Sequence, residues 1–404
     1  MTKLEITTSQ LNRYLWMRQG FDATDPPPTV QQVIEANPGI PGATPTCYLS
    51  ILARSPASTF ADLDDLLYTR RTVVRVRAMR TGLFLVPTRQ LPDVFQATAH
   101  LTRSAFAEIV RNSGVSDDEY AEAASRIEAV LQGTALPLPE IRRALSDLPD
   151  RVAAALSYIV GLMCGEGRLV RAGVRGGWSS DVAEYARVVD WLPGVDLAAG
   201  DAERGRVLLA RRYFEAFGPA SVDDFHWWSG LSWEEANAAV AALRDDLVPV
   251  TVKDLPGELL VPAAAADALA ALPDEGPRGI RLLPPSDAYT AAYAVRTRYI
   301  QPRWYERIYD RTGTPTYTIL RDGRIGGIWD FEEKAGRLEL KVALFEPADR
   351  RTWREIERAA EPLAKALGTG APRLLRCPPP APAAAGAGRQ RSPLRDVEGE
   401  PVTI

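Results

Sequence analysis

The chain has 404 residues, 46% of them hydrophobic and 25% charged, with a formal net charge of −4 at pH 7. This describes a globular protein with room for two to four domains, and it excludes both a disordered chain and a protein basic enough to coat polyanions over its whole surface. Three scattered cysteines (Cys47, Cys164, Cys377) and two isolated histidines (His100, His226) argue against a disulfide framework, a zinc site or any other metal or cofactor, while the lack of a leading signal-like segment or an apolar run of about 20 residues points to a cytoplasmic protein with no membrane partner.

Thr7 to Gln10 is a capping-box pattern that opens a helix over 11–19, and Thr29 caps a second over 30–36. Asn37-Pro38-Gly39-Ile40-Pro41-Gly42-Ala43-Thr44-Pro45 is too rich in turn residues for a helix or an inner strand. Helices follow over 46–53 and 60–68, the second capped by Thr59. From Leu66 to Pro92 there are six arginines and no acid. Thr72 to Met79 reads as a strand with Val74 and Val76 on one face and Arg71, Arg75 and Arg77 on the other, paired with 83–86 as a wing. A ribbon of Arg71, Arg75, Arg77 and Arg80 suits a phosphate backbone; a solvated edge strand blunted by charge has the same pattern. The wider excess of arginine over lysine fits either forked phosphate contacts or a G/C-rich coding bias.

Predicted helices over 101–112, 117–131, 139–145 and 151–164, then strands over 168–171 and 185–189, repeat the order of helices and wing. That order is plainest further on. A helix over 203–217 stops at Gly218-Pro219, a short helix over 224–229 stops at Gly230, and Ser232-Trp233-Glu234-Glu235 opens a third over 233–244. Strands over 247–252 and 259–261 follow. This is a winged helix, a module that either docks its third helix in a DNA groove or binds protein. His226 beside Trp227-Trp228 suits base stacking or a packed core. Arg296, Arg298, Arg303, Arg307 and Arg311 suit a groove or a solvated surface.

From Arg278 the character changes to short strands over 279–283, 316–320, 324–331 and 337–345, with a tight turn at Asp322-Gly323 and a closing helix over 351–367. The expected fold is mainly α with small β: three tandem winged-helix units, a small antiparallel β-barrel and a disordered C-terminal tail. The divisions are 1–115 (with linker helices), 116–200, 201–277, 278–369 and 370–404. Three internal units make a monomer sufficient.

Tyr48-Leu49-Ser50-Ile51-Leu52-Ala53-Arg54, then Leu63, Leu66, Arg70-Arg71, Arg75, Met79-Arg80, Leu83 and Leu85-Val86, resembles the first winged helix of the AlkZ/YcaQ group of bacterial DNA glycosylases. Phe214, Gly218-Pro219-Ala220, Asp224-Phe225 and Trp227 to Leu231 resemble their third, and Leu282-Leu283-Pro284 with Asp287, Tyr289, Asp322-Gly323, Gly327 and Trp329 their C-terminal barrel. The resemblance spans about 5–370. It implies a clamp around double-stranded DNA and monofunctional excision of bulky N-alkylated purines, in some members within interstrand crosslinks. It also implies self-resistance in producers of DNA-alkylating natural products, and DNA contacts for Asp287 and Tyr289. Asp287 equally suits a turn cap before 288–292.

The family's chemistry rests on a Gln-apolar-Gln or Gln-apolar-Asp triplet just before the Tyr-Leu-Ser helix. That position holds Ile40-Pro41-Gly42 (or, slipped by one, Pro41-Gly42-Ala43), and neither can hold a water. Phe84 stands where relatives often carry His. Asn37 and Thr44 are the nearest catalytic candidates, with Glu35 the nearest acid. The expectation is a glycosylase with a rerouted water-positioning group. The alternative is a catalytically inactive winged-helix protein that binds, senses or shields adducted DNA.

Overall fold

The computed structural model describes residues 4–381 and 392–402. Strand β1 (Leu4–Ile6) leads into α1 (Thr8–Arg18), α2 (Val30–Ala36), α3 (Thr46–Leu52) and α4 (Phe60–Asp64). Thr7, Thr29 and Thr59 each accept the N–H three residues on, and that residue's side chain returns the bond, so the local sequence fixes three helix starts. α4 runs on into a π-helical turn over Asp65–Thr69, splitting the single helix expected there. Strands β2 (Val73–Arg77) and β3 (Leu83–Pro87) form a hairpin, followed by α5 (Leu91–Asn112). α5 starts well before residue 101 because Pro92 sits in its first turn, where a missing N–H costs nothing.

Next come α6 (Asp117–Val130), β4 (Leu136–Pro137), α7 (Leu138–Ala144), α8 (Asp150–Gly165), β5 (Leu169–Arg175), β6 (Val182–Arg187) and α9 (Val188–Trp191). Then α10 (Ala202–Phe217), α11 (Val222–Ser229), α12 (Trp233–Ala241), β7 (Leu247–Val252) and β8 (Leu259–Pro262) follow the predicted order. α13 (Ala263–Ala270), an alanine-rich helix, extends it. The C-terminal part holds β9 (Ile280–Leu283), α14 (Tyr305–Ile308), β10 (Thr318–Arg321), β11 (Arg324–Lys334), β12 (Arg337–Leu344), α15 (Arg350–Ala366), β13 (Arg373–Arg376) and β14 (Glu400–Pro401).

The strands do not stay within separate units. The first two hairpins share one sheet, β3-β2-β5-β6-β4, joined where Arg75 faces Arg171. β1 pairs in parallel with β7, tying the N-terminal end to the third hairpin. Two expectations at the C-terminal end are corrected. Strands β14-β13-β12-β11-β10-β9 form an open sheet, with no closed barrel among the described residues. Closure is unnecessary because α15 covers one face through Trp353, Ile356 and Leu363, while the other face joins the main core through Leu283, Leu320 and Ile328. The tail after residue 369 is not uniformly disordered: β13 pairs with β12 and β14, and Leu374, Leu375, Cys377 and Leu394 are buried. These few apolar residues are diluted by the Pro/Ala stretch around them; the part of that expectation falling on 382–391 lies outside the described residues. No helix among the described residues is long and apolar enough to cross a membrane, and none of their His, Cys, Asp and Glu side chains cluster as metal ligands.

Candidate DNA-facing site

The segment that replaces the polar triplet is packed, not merely altered. The Ile40 carbonyl accepts Leu85 N–H at 3.0 Å, the Gly42 N–H donates to the Leu83 carbonyl at 2.7 Å, and Pro41 lies opposite Phe84, so 40–42 adds an edge to β3. Ile40 is fully buried. A Cβ on Gly42 would lie 3.1 Å from Leu83 Cγ and from the Phe84 carbonyl carbon, so any longer side chain needs β3 to give way. Asn37, the C-cap of α2, is buried; its Nδ2 donates to the Val33 carbonyl at 3.1 Å and its Oδ1 has no partner among the described residues. The Thr44 hydroxyl donates to the Ser180 carbonyl in the β5–β6 loop. Glu35 pairs with Arg89 at 2.5 Å, and that bond holds its carboxyl below the usual range.

The arginine ribbon contracts to two residues. Arg75 is buried, not exposed: its Nη1 donates to the Tyr68 hydroxyl and its Nη2 lies 3.6 Å from Cys47 Sγ. That side turns inward because Tyr68 of the π-helical turn and Cys47 of α3 pack on it. Arg71 stacks on Trp191 at 3.9 Å and donates to its carbonyl at 2.9 Å. Arg70 pairs with Asp65 at 2.5 Å. Acids outside the 66–92 run therefore neutralise both Arg70 and Arg89. Arg77 and Arg80 remain exposed at the hairpin end. Arg77 donates to the Thr81 carbonyl at 2.9 Å, and Arg80, at φ 49°, lies 4.2 Å over Trp227.

Trp227 also lies 5.0 Å from the Arg296 guanidinium, which is itself buried against Tyr309. Arg298 is buried in an ion pair with Asp224 at 2.9 Å. These two arginines therefore lie neither in a groove nor on a solvated surface. His226 stacks on the exposed Trp233 with centroids 4.1 Å apart, whereas Trp228 packs against Tyr213 in the core.

Asp287 and Tyr289 are interior residues. The Asp287 carboxylate takes both Arg54 nitrogens at 2.8 Å and the Ser50 hydroxyl at 2.7 Å, and Arg54 also donates to the buried Gln19. Neither Arg54 nor Asp287 exposes any side-chain surface. Asp287 Oδ1 also accepts Tyr289 N–H at 2.9 Å, so the turn-cap geometry is present. Tyr289 packs among Phe21, Tyr293 and Tyr299. Fully buried, neither residue presents a surface to DNA, and Asp287 ties the entry of the C-terminal part to Ser50 of α3 and to Arg54.

Two further features lie at the centre. Trp178, in the β5–β6 loop, stacks on Phe60 at 4.4 Å and on Phe331 at 5.9 Å, so one loop touches both α4 and β11. Beside it, a cleft of about 490 Å³ opens between Pro45-Thr46 at the start of α3 and a wall containing Asp310, Tyr317, Asp330 and Arg395. Asp330 Oδ1 accepts Phe331 N–H at 2.8 Å, while its buried Oδ2 has no hydrogen-bond partner among the described residues. Burial pushes this carboxyl above the usual range, with the Phe331 N–H, the nearby Ser392 hydroxyl and the charges of Arg395 and Lys341 pulling it back. The one available signal was a lone acid in the apolar run Ile328-Trp329-Asp330-Phe331.

The family model described as "DNA glycosylase AlkZ-like" matches residues 32–366. Among solved structures, the chain is similar to the Streptomyces sahachiroi DNA glycosylase AlkZ, with a TM-score of 0.73 and 18% identity over 92% of this chain and 100% of that one. At that identity the likeness is one of fold. No curated protein matches the chain. The family match spans the chain from α2, past the arginine hairpin and the buried Arg54–Asp287 pair, to the last turn of α15, and this chain belongs to the AlkZ-like DNA glycosylase family.

Proposed function

We propose that this protein is a monofunctional DNA glycosylase that releases bulky N-alkylated purines from double-stranded DNA, isolated or within crosslinks, and so protects its host against a DNA-alkylating natural product. The observation that carries this reading is the family match over 32–366. The chemistry asks little of the protein. A purine alkylated at N7 already carries positive charge, so it leaves readily, and the main task is to orient one water towards an oxocarbenium-like sugar. Arg77 and Arg80, exposed at one hairpin end, are the proposed phosphate contacts, and one chain suffices as a monomer.

A second reading rests on one specific observation: Ile40-Pro41-Gly42 is locked against β3 and carries no group that holds a water. On that reading the protein binds or shields adducted DNA without cleaving it. Single-turnover base release from duplexes carrying N7-alkylguanine adducts of increasing bulk separates the two. Abasic sites forming well above the spontaneous rate establish the glycosylase; tight binding with spontaneous release alone establishes the binder. Asn37→Ala belongs in the same assay, since an unchanged rate removes Asn37 as the water holder.

A further inference from the structure

We propose that Asp330 is the water-holding base of this enzyme, taking over from the polar triplet that Ile40-Pro41-Gly42 cannot supply. The inference rests on the glycosylase reading above and names the group that carries its chemistry.

Three observations converge on it. The cleft that Asp330 lines begins at Pro45-Thr46, three residues beyond Gly42, so it opens where the first unit's triplet segment ends. Its volume of about 490 Å³ is in the range of small-molecule sites, and Tyr317 supplies an aromatic wall of the kind on which a base stacks. Second, Asp330 Oδ2 is buried and meets no hydrogen-bond geometry with any described residue, the Ser392 hydroxyl beside the carboxyl included. A carboxylate oxygen so placed costs stability, and such costs concentrate where a protein binds or reacts. A water seated in the cleft satisfies that oxygen. Third, the other carboxylate of the cleft is already committed: Asp310 Oδ1 accepts the Thr312 N–H and hydroxyl and the Thr314 N–H, closing its own turn.

The step balances. The bond between the sugar C1′ and purine N9 breaks, and its electron pair leaves with the purine, neutralising the N7-alkyl cation. Water oxygen bonds to C1′ and its proton passes to the Asp330 carboxylate, then to solvent. Only ionised Asp330 can take that proton. Lys341 faces it from β12, Arg395 and Ser392 from the tail, and Tyr317, Asp310 and Cys377 lie around it. Because burial holds its carboxyl above the usual range, release should climb as pH rises through that raised value and level off above it.

The test uses the full chain, duplexes carrying N7-alkylguanine, and three readouts: single-turnover release, duplex binding and melting temperature. Asp330→Asn is expected to slow release by about 100-fold while leaving the duplex Kd unchanged. It is also expected to keep or raise the melting temperature, because a neutral amide no longer ionises at the fold's expense. D330N releasing at the wild-type rate sinks Asp330 but leaves the glycosylase standing. Wild-type protein that releases no base above the spontaneous rate sinks the glycosylase reading itself. A D330N protein that loses excision only in step with melting temperature and binding marks a structural carboxylate and also overturns the inference. So does a wild-type pH profile with no acid limb.

Discussion

Arg54 and Asp287 show how a family motif and a physical role part company. Asp287 was expected at DNA, yet its two oxygens are saturated by a guanidinium, a serine hydroxyl and a backbone N–H, with no side-chain surface exposed. Removing one partner strands a charge in the core, so Arg54→Ala or Asp287→Ala should cost about 3–5 kcal/mol in denaturant unfolding. A loss below about 1 kcal/mol would mean the pair is hydrated, as surface pairs are. The hairpin arginines divide the same way. Arg77→Ala with Arg80→Ala should weaken duplex binding and reduce the slope of log K against log salt by about 2, with stability unchanged. Arg75→Ala should instead lower the melting temperature, because its guanidinium fills buried space. An alternating strand pattern names which residues share a face; it does not say which face the rest of the fold will cover.

At the level of elements, what was legible was local. The starts at Thr7, Thr29, Thr59 and Ser232 are written in four residues each, and every one opens a helix. What depends on distant partners was not legible. β13 is a strand because β12 lies beside it, and no property of Arg373–Arg376 alone announces that. Cutting the chain after Thr369 should therefore lower the melting temperature by several degrees, since Leu374 and Leu375 lose their burial and β12 becomes an edge. An unchanged melting temperature would mean that the sheet is held without its last two strands. The Ile40–Gly42 segment teaches the same lesson in reverse. Its turn residues excluded an inner strand correctly, but an edge on β3 needs only one N–H and one carbonyl, and prolines leave enough of both.

For the whole molecule, the predicted sequence of helices and hairpins is present, but the sheets cross between its parts. Trp178 carries one crossing, packed against Tyr48, Phe60 and Phe331. Trp178→Ala should leave helical content intact and speed hydrogen exchange across 176–180; unchanged exchange would show that Thr44 and Ser180 suffice to hold the loop. The parallel pairing of β1 with β7 has a consequence for how the protein comes into being. Leu4 faces Val250, so a strand near one end of the chain has no hydrogen-bonding partner until some 250 residues have been made. At ribosomal speeds of about 5–20 residues per second, that edge stays unsatisfied for roughly 12–50 seconds. During that interval the nascent chain exposes Ile6 and the apolar face of α1. Yield in cells should thus respond to chaperone supply during synthesis far more than to the stability of the finished fold.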